Sequence, residues 1–138
     1  MPAKDFYHDT VKNALIKDGW VIIDENIHLP WGGRDTYVDL GAEKLFAAEK
    51  DGRKIGVEVK SFIGKSDMVE LEKAIGQFVI YRLAMKKKYP DWQLFLAVGE
   101  EIYNELFVHP DGVELIEAQS LKIIVFEEIK EVIARWIS

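Results

Sequence analysis

Between residues 55 and 62 the chain reads Ile55-Gly56-Val57-Glu58-Val59-Lys60-Ser61-Phe62, a strict alternation that a β-strand turns into two distinct faces. Ile55, Val57, Val59 and Ser61 fall on one face, and Gly56, Glu58, Lys60 and Phe62 on the other. An Asp51-Gly52 pair just upstream is a strong hairpin signal, with residues 45–49 entering the turn and 54–62 leaving it. Ser66 and Asp67 then open a long helix, with Glu70 at capping-box spacing from Asp67 and the basic Lys86-Lys87-Lys88 suited to its C-terminal end. Leu71, Ile75, Phe78, Val79 and Leu83 form the stripe expected to be buried.

The remaining segments extend this strand–helix unit. Residues 5–19 carry Phe6, Val11, Ala14 and Leu15 at helical spacing, stopped by Gly19, and 20–23 reads as a strand. Residues 29–35 read as a loop from their Pro and Gly content. A largely apolar strand at 92–98 suits the centre of a sheet, followed by short helices at 100–107 and from Pro110 to 118. Strands are expected at 121–126 and 131–137, giving the order α-β-ββ-α-β-α-β-β: an α/β fold with a mixed sheet and helices packed on it.

Composition narrows what such a fold can do. At 138 residues, one domain spanning 1–138 is expected. The absence of cysteine excludes disulfides, thiolate metal sites and thiol catalysis, and His8, His28 and His109 are too scattered to suggest zinc. With no membrane-length apolar run and a polar MPAKDFYHD start, a cytoplasmic protein with no membrane partner is expected. The net charge of −6 argues against coating nucleic acid by bulk charge. Residues 99–138 carry 3 Lys+Arg against 9 Asp+Glu, so the whole imbalance belongs to the C-terminal region, which is expected to form a separate, phosphate-repelling surface fit for a protein partner.

The chemistry centres on Glu58 and Lys60. Burying either charge alone is costly, and a divalent cation is one reason to place them together. Mg²⁺ takes carboxylate, carbonyl and water oxygens, so Glu58 and the Val59 carbonyl are candidate ligands. Asp39 is the preferred second carboxylate, with Glu43 and Asp35 as alternatives. Pairing through the Asp51-Gly52 turn places Leu45 opposite Glu58, so residues 41–44 must bulge to bring Asp39 close. Lys60 would then assist deprotonation of a metal-bound water or stabilise charge on a phosphate. On the following helix Glu70, Lys73, Gln77 and Tyr81 share a polar stripe, opposite the core stripe, that can turn Gln77 toward the metal and Tyr81 toward a phosphate. Arg34, in the Trp31-Gly32-Gly33-Arg34 loop, is a further candidate phosphate contact. The plain alternative for Glu58 and Lys60 is an exposed ion pair worth about 0–1 kcal/mol. Likewise His8 and Asp9 can be ordinary helix residues, and Arg82 with Lys86–Lys88 a charged helix end.

An Asp, a Glu-x-Lys on a hairpin and a Gln-x-x-x-Tyr on the next helix together resemble the restriction-endonuclease-like (PD-(D/E)XK) nucleases. That resemblance implies Asp39, Glu58, Lys60 and Gln77 as catalytic residues and Mg²⁺ as cofactor. Across nearly the whole chain, MPAKDFYHDTVKNALIKDGW, YVDLGAEKLFAAEKDGRKIGVEVKSFIGKS, LEKAIGQFVIY and the LKIIVF…WI tail resemble the XisH family of cyanobacterial controlling factors. These act in excision of the fdxN element, a DNA segment removed during heterocyst differentiation. The partners so implied are DNA, an XisI-like small protein and a site-specific recombinase, with a homodimer left open. Controlling excision can be done by hydrolysis, by non-catalytic binding of DNA, or by protein interaction alone.

Overall fold

The computed structural model describes residues 6–38, 40–44 and 52–138, and for 37, 38 and 40–44 the backbone alone. Helix α1 (His8–Lys17) leads into β1 (Val21–Asp24), β2 (Ile27–Trp31), β3 (Arg34–Val38), β4 (Leu40–Lys44) and β5 (Arg53–Lys60). Helix α2 (Asp67–Lys88) connects β5 to β6 (Gln93–Gly99). Next come α3, which begins at Glu100–Ile102 and continues as a π-helical Tyr103–Phe107, then α4 (Pro110–Gln119), β7 (Ile123–Glu127) and β8 (Val132–Ile137).

Six strands form one mixed sheet in the order β1-β4-β5-β6-β7-β8. The central β5, β6 and β7 are parallel, and β1, β4 and β8 join antiparallel. Two successive parallel crossovers running in the same direction across the sheet must share a hand, so their helices cover the same face. Accordingly α2, α3 and α4 build one core with Phe78, Leu96, Phe107 and Val125, while α1 covers the other face with Val11, Leu15, Val57 and Phe95. The closing segment is the expected strand, and its Trp136 packs 5.6 Å from Trp20 and 5.1 Å from Phe95 between ring centroids.

Four expectations need correction. Residues 29–35 are not a loop: β2 and β3 pair as a separate hairpin, with Trp31 opposite Arg34. Gly32 and Gly33 both have positive φ, +57° and +74°, which is what a two-residue turn matching strand twist requires. Pro30 is tolerated because a two-stranded ribbon leaves each strand an outer edge that needs no donor. The second correction concerns register. Leu40, not Leu45, pairs near the site, opposite Val57, and 41–44 continue a regular ladder to Arg53 without bulging. The expected incoming segment 45–49 and Asp51 lie outside the described residues.

Helix α2 supplies the other two. Ser66 rather than Asp67 is its N-cap, the Ser66 Oγ accepting from the Val69 N–H at 3.3 Å. Its buried residues are Ala74, Phe78, Ala84 and Met85, whereas Leu83 is 53% exposed and Val79 half-buried. The periodicity was ambiguous because α2 carries apolar residues on two sides.

Candidate functional site

A Cβ on Gly56 would meet the Met85 side chain of α2, which fixes the even-numbered positions of β5 on the α2 face. Glu58 and Lys60 therefore project beneath α2, as their alternation predicts, while Val57 and Val59 enter the core under α1. Glu58 is a rare buried carboxylate, 6% exposed. The Lys60 Nζ lies 4.0 Å from its Oε1, with the lysine side chain 17% exposed. This is a largely desolvated ion pair, unlike the surface pair of the plain alternative, and it sits at the C-terminal end of a parallel strand. Lys60 is level with Val98 of β6.

Gln77 is half-buried, and its Oε1 is enclosed with no hydrogen-bond partner among the described residues. An acceptor left so costs about 1–3 kcal/mol unless water or a ligand meets it. Gln77 and Tyr81 do not lie opposite the core, as the stripe reading expected. Tyr81 packs on the α2-side core, and both residues occupy the margin between buried and solvent faces. Glu70 pairs with Lys73 at 3.9 Å near the start of the same helix.

The other candidates separate. Asp39 lies outside the described residues. Glu43 pairs in the ladder with Lys54, four positions or roughly 13 Å along β5 from Glu58, which removes it as an alternative ligand. Asp35 is exposed on the β2–β3 hairpin and engaged by the His28 Nε2 at 2.6 Å. Arg34 is exposed beside the hairpin turn. His8, the first residue of α1, is buried with its Nε2 3.4 Å from Glu25, which also receives Lys12 at 3.0 Å; Asp9 is exposed. Arg82 donates to the Gln119 carbonyl at the end of α4, and Lys88 to the His28 carbonyl, so these two cations tie elements together.

For a cation, Glu58 offers one carboxylate and the strand its carbonyls. Such a donor set fits a hard ion like Mg²⁺ that retains several waters. Among the described residues no group of three or more His, Asp or Glu side chains converges as a metal site. A two-carboxylate centre therefore depends on Asp39. Lys60, beside Glu58, can hold a positive charge next to a bound phosphate or exchange a proton with a water.

Part of the acidic C-terminal region gathers at one end of the sheet. Gly99 at the end of β6 pairs with Phe126, and Glu128 lies directly over Gly99, where a Cβ would strike its carboxylate. Glu100 and Glu101, which follow β6, and Glu127 and Glu128, at the end of β7, thus lie at the sheet end where β5 carries Lys60, with Glu128 on the α1 face, opposite the face of Glu58 and Lys60. Partial burial, then the charges of Glu101 and Glu127, raise the Glu128 carboxyl above its usual range. The folded chain then holds this proton more tightly than the unfolded one, so stability falls as pH rises from about 4.5 through the folded value and stays lower above it. Glu128→Gln is expected to raise the melting temperature near pH 7 and to leave it unchanged well below pH 4.5. Equal shifts at both pH values would show that the carboxylate's charge is not the cause.

A cleft of about 210 Å³ flanked by Arg82, Lys86 and Lys122 lies toward the start of β6, at the opposite end of the sheet from Lys60. No helix among the described residues is long and apolar enough to cross a membrane.

Residues 1–134 match the family model described as XisH protein. No curated protein matches the chain. Solved structures do, two of them as follows. An XisH family protein from Nostoc punctiforme PCC 73102 is 36% identical with a TM-score of 0.88, covering 97% of this chain and 100% of its own. An fdxN element excision controlling factor protein from Anabaena variabilis is 38% identical with a TM-score of 0.85, covering 96% of this chain and 98% of its own. A whole-chain family match together with superposable folds places this chain in the XisH family.

Proposed function

We propose that the chain is a controlling factor for excision of a DNA element. In this reading it uses a restriction-endonuclease-like scaffold for Mg²⁺-dependent phosphodiester hydrolysis. The observation that carries it is the desolvated Glu58–Lys60 pair under α2, a costly arrangement that a structural role on a sheet does not require. Glu58, the Val59 carbonyl and Asp39 are the ligands for the cation, which activates water and polarises the phosphate when bound. Lys60 manages the proton or the developing charge, and Gln77 offers its unmet acceptor. Tyr81 and Arg34 are the phosphate contacts. DNA, an XisI-like small protein and a recombinase are the partners.

The test is incubation of the purified chain with supercoiled plasmid, with and without Mg²⁺ or Mn²⁺. Metal-dependent nicking lost in Lys60→Ala is expected, and nicking that persists in that variant sinks the site. A second reading has its own support: a non-catalytic accessory protein that binds DNA or a small protein partner. The glutamates that follow β6 and end β7, at the same end of the sheet as Lys60, repel a DNA backbone tracking along β6 and β7 and suit a basic protein surface. Absence of nicking under every metal, with excision still supported by Lys60→Ala in cells, would establish that reading instead.

A further inference from the structure

Helix α2 has a second apolar side that the described residues leave uncovered. Val69, Gly76, Ile80 and Leu83 fall within an arc of about 60° at 3.6 residues per turn, opposite the buried Ala74, Phe78 and Met85. Val69 is 45% exposed, Ile80 38% and Leu83 53%. Gly76 is exposed in the middle of a 22-residue helix, with nothing within 4 Å of where its Cβ would stand. Among the described residues neither a turn nor a packing contact uses this glycine, yet mid-helix glycine is unfavourable relative to any ordinary residue. A glycine between apolar residues on a helix surface lets a second helix approach closely.

Charge on the same helix says what that second helix is. Its first two turns carry Asp67, Glu70 and Glu72 against the single cation Lys73, and its last turn Lys86, Lys87 and Lys88. Glu72 is exposed just beside the apolar arc, and Lys87 is exposed in line with it at the C-terminal end of the helix. A parallel copy would set like charges together. An antiparallel copy sets the acidic start of each helix against the basic end of the other and opposes their dipoles favourably.

We infer that two copies of this chain associate through α2 across a two-fold axis near position 78. In that isologous contact Gly76 of each copy faces Ile80 of the other, and Glu72 lies within reach of Lys87. The contact leaves Glu58 and Lys60 of both copies outside the interface, since they lie beneath the opposite side of the helix. It therefore does not depend on hydrolysis.

Sedimentation equilibrium of the full chain tests it. A reversible dimer is expected, and a chain that stays monomeric up to about 1 mM overturns the inference. Gly76→Gln fills open space in the single copy, so it is expected to raise the melting temperature of the dilute protein. The same change should weaken dimerisation by about tenfold or more, as overpacked contacts do. A dimer untouched by Gly76→Gln lies elsewhere and also overturns it. Glu72→Lys and Lys87→Glu are each expected to be monomeric alone and to form a mixed dimer when combined, because both contacts in the mixed pair regain opposite charges. Failure of the mixture to dimerise, or dimers of either variant alone, contradicts the antiparallel geometry.

Discussion

Glu58→Gln is expected to lower metal-dependent cleavage of plasmid DNA by about 10²–10³-fold or more, the usual cost of deleting one electrostatic contributor to a charged transition state. The substitution keeps shape and removes charge, which matters because Glu58 is 6% exposed and 4.0 Å from the Lys60 ammonium. Loss of that counter-charge also costs stability, by about 3–5 kcal/mol where one partner of a largely desolvated pair is removed. From about 10 kcal/mol, the middle of the ordinary range, the variant stays more than about 99% folded at room temperature. Activity lost a hundredfold therefore reports chemistry, and a melting curve on the same sample separates the two effects. Cleavage within about threefold of the parent chain would remove Glu58 from the mechanism.

Phe78→Ala is expected to cost about 3–5 kcal/mol, because a fully buried ring at the α2–sheet contact leaves a cavity its neighbours only partly fill. For a chain of this length the melting temperature should drop by roughly 10–20 °C. Leu83→Ala is the informative control. Leu83 is 53% exposed, so its removal should change the stability of the dilute chain by about 0.5 kcal/mol or less. Denaturant midpoints for the two variants settle which side of α2 faces the sheet. Equal losses would contradict the observed orientation.

The contrast between Phe78 and Leu83 marks a limit of the sequence. Both fit an apolar stripe at helical spacing, and no local rule separates a face buried in the chain from one left for another molecule. The β2–β3 hairpin was hidden for a related reason. Gly32-Gly33 is both a loop breaker and a tight-turn signal, and Pro30 is disallowed in a central strand but acceptable at an edge. Which reading applies depends on what pairs with the strand.

The sequence alone determined the alternation of β5, the helix that follows it, and the placement of Glu58 and Lys60 on one face. These are local consequences of a two-residue period and of a capped, amphipathic segment. The depth at which that pair is buried, the pairing of Leu40 with Val57, and the gathering of Glu100, Glu101, Glu127 and Glu128 at the same end of the sheet were decided by tertiary structure. Strand register and the convergence of parallel strand ends join residues 15 to 70 positions apart, and a long connection between strands leaves such pairings unconstrained until the sheet assembles around its core.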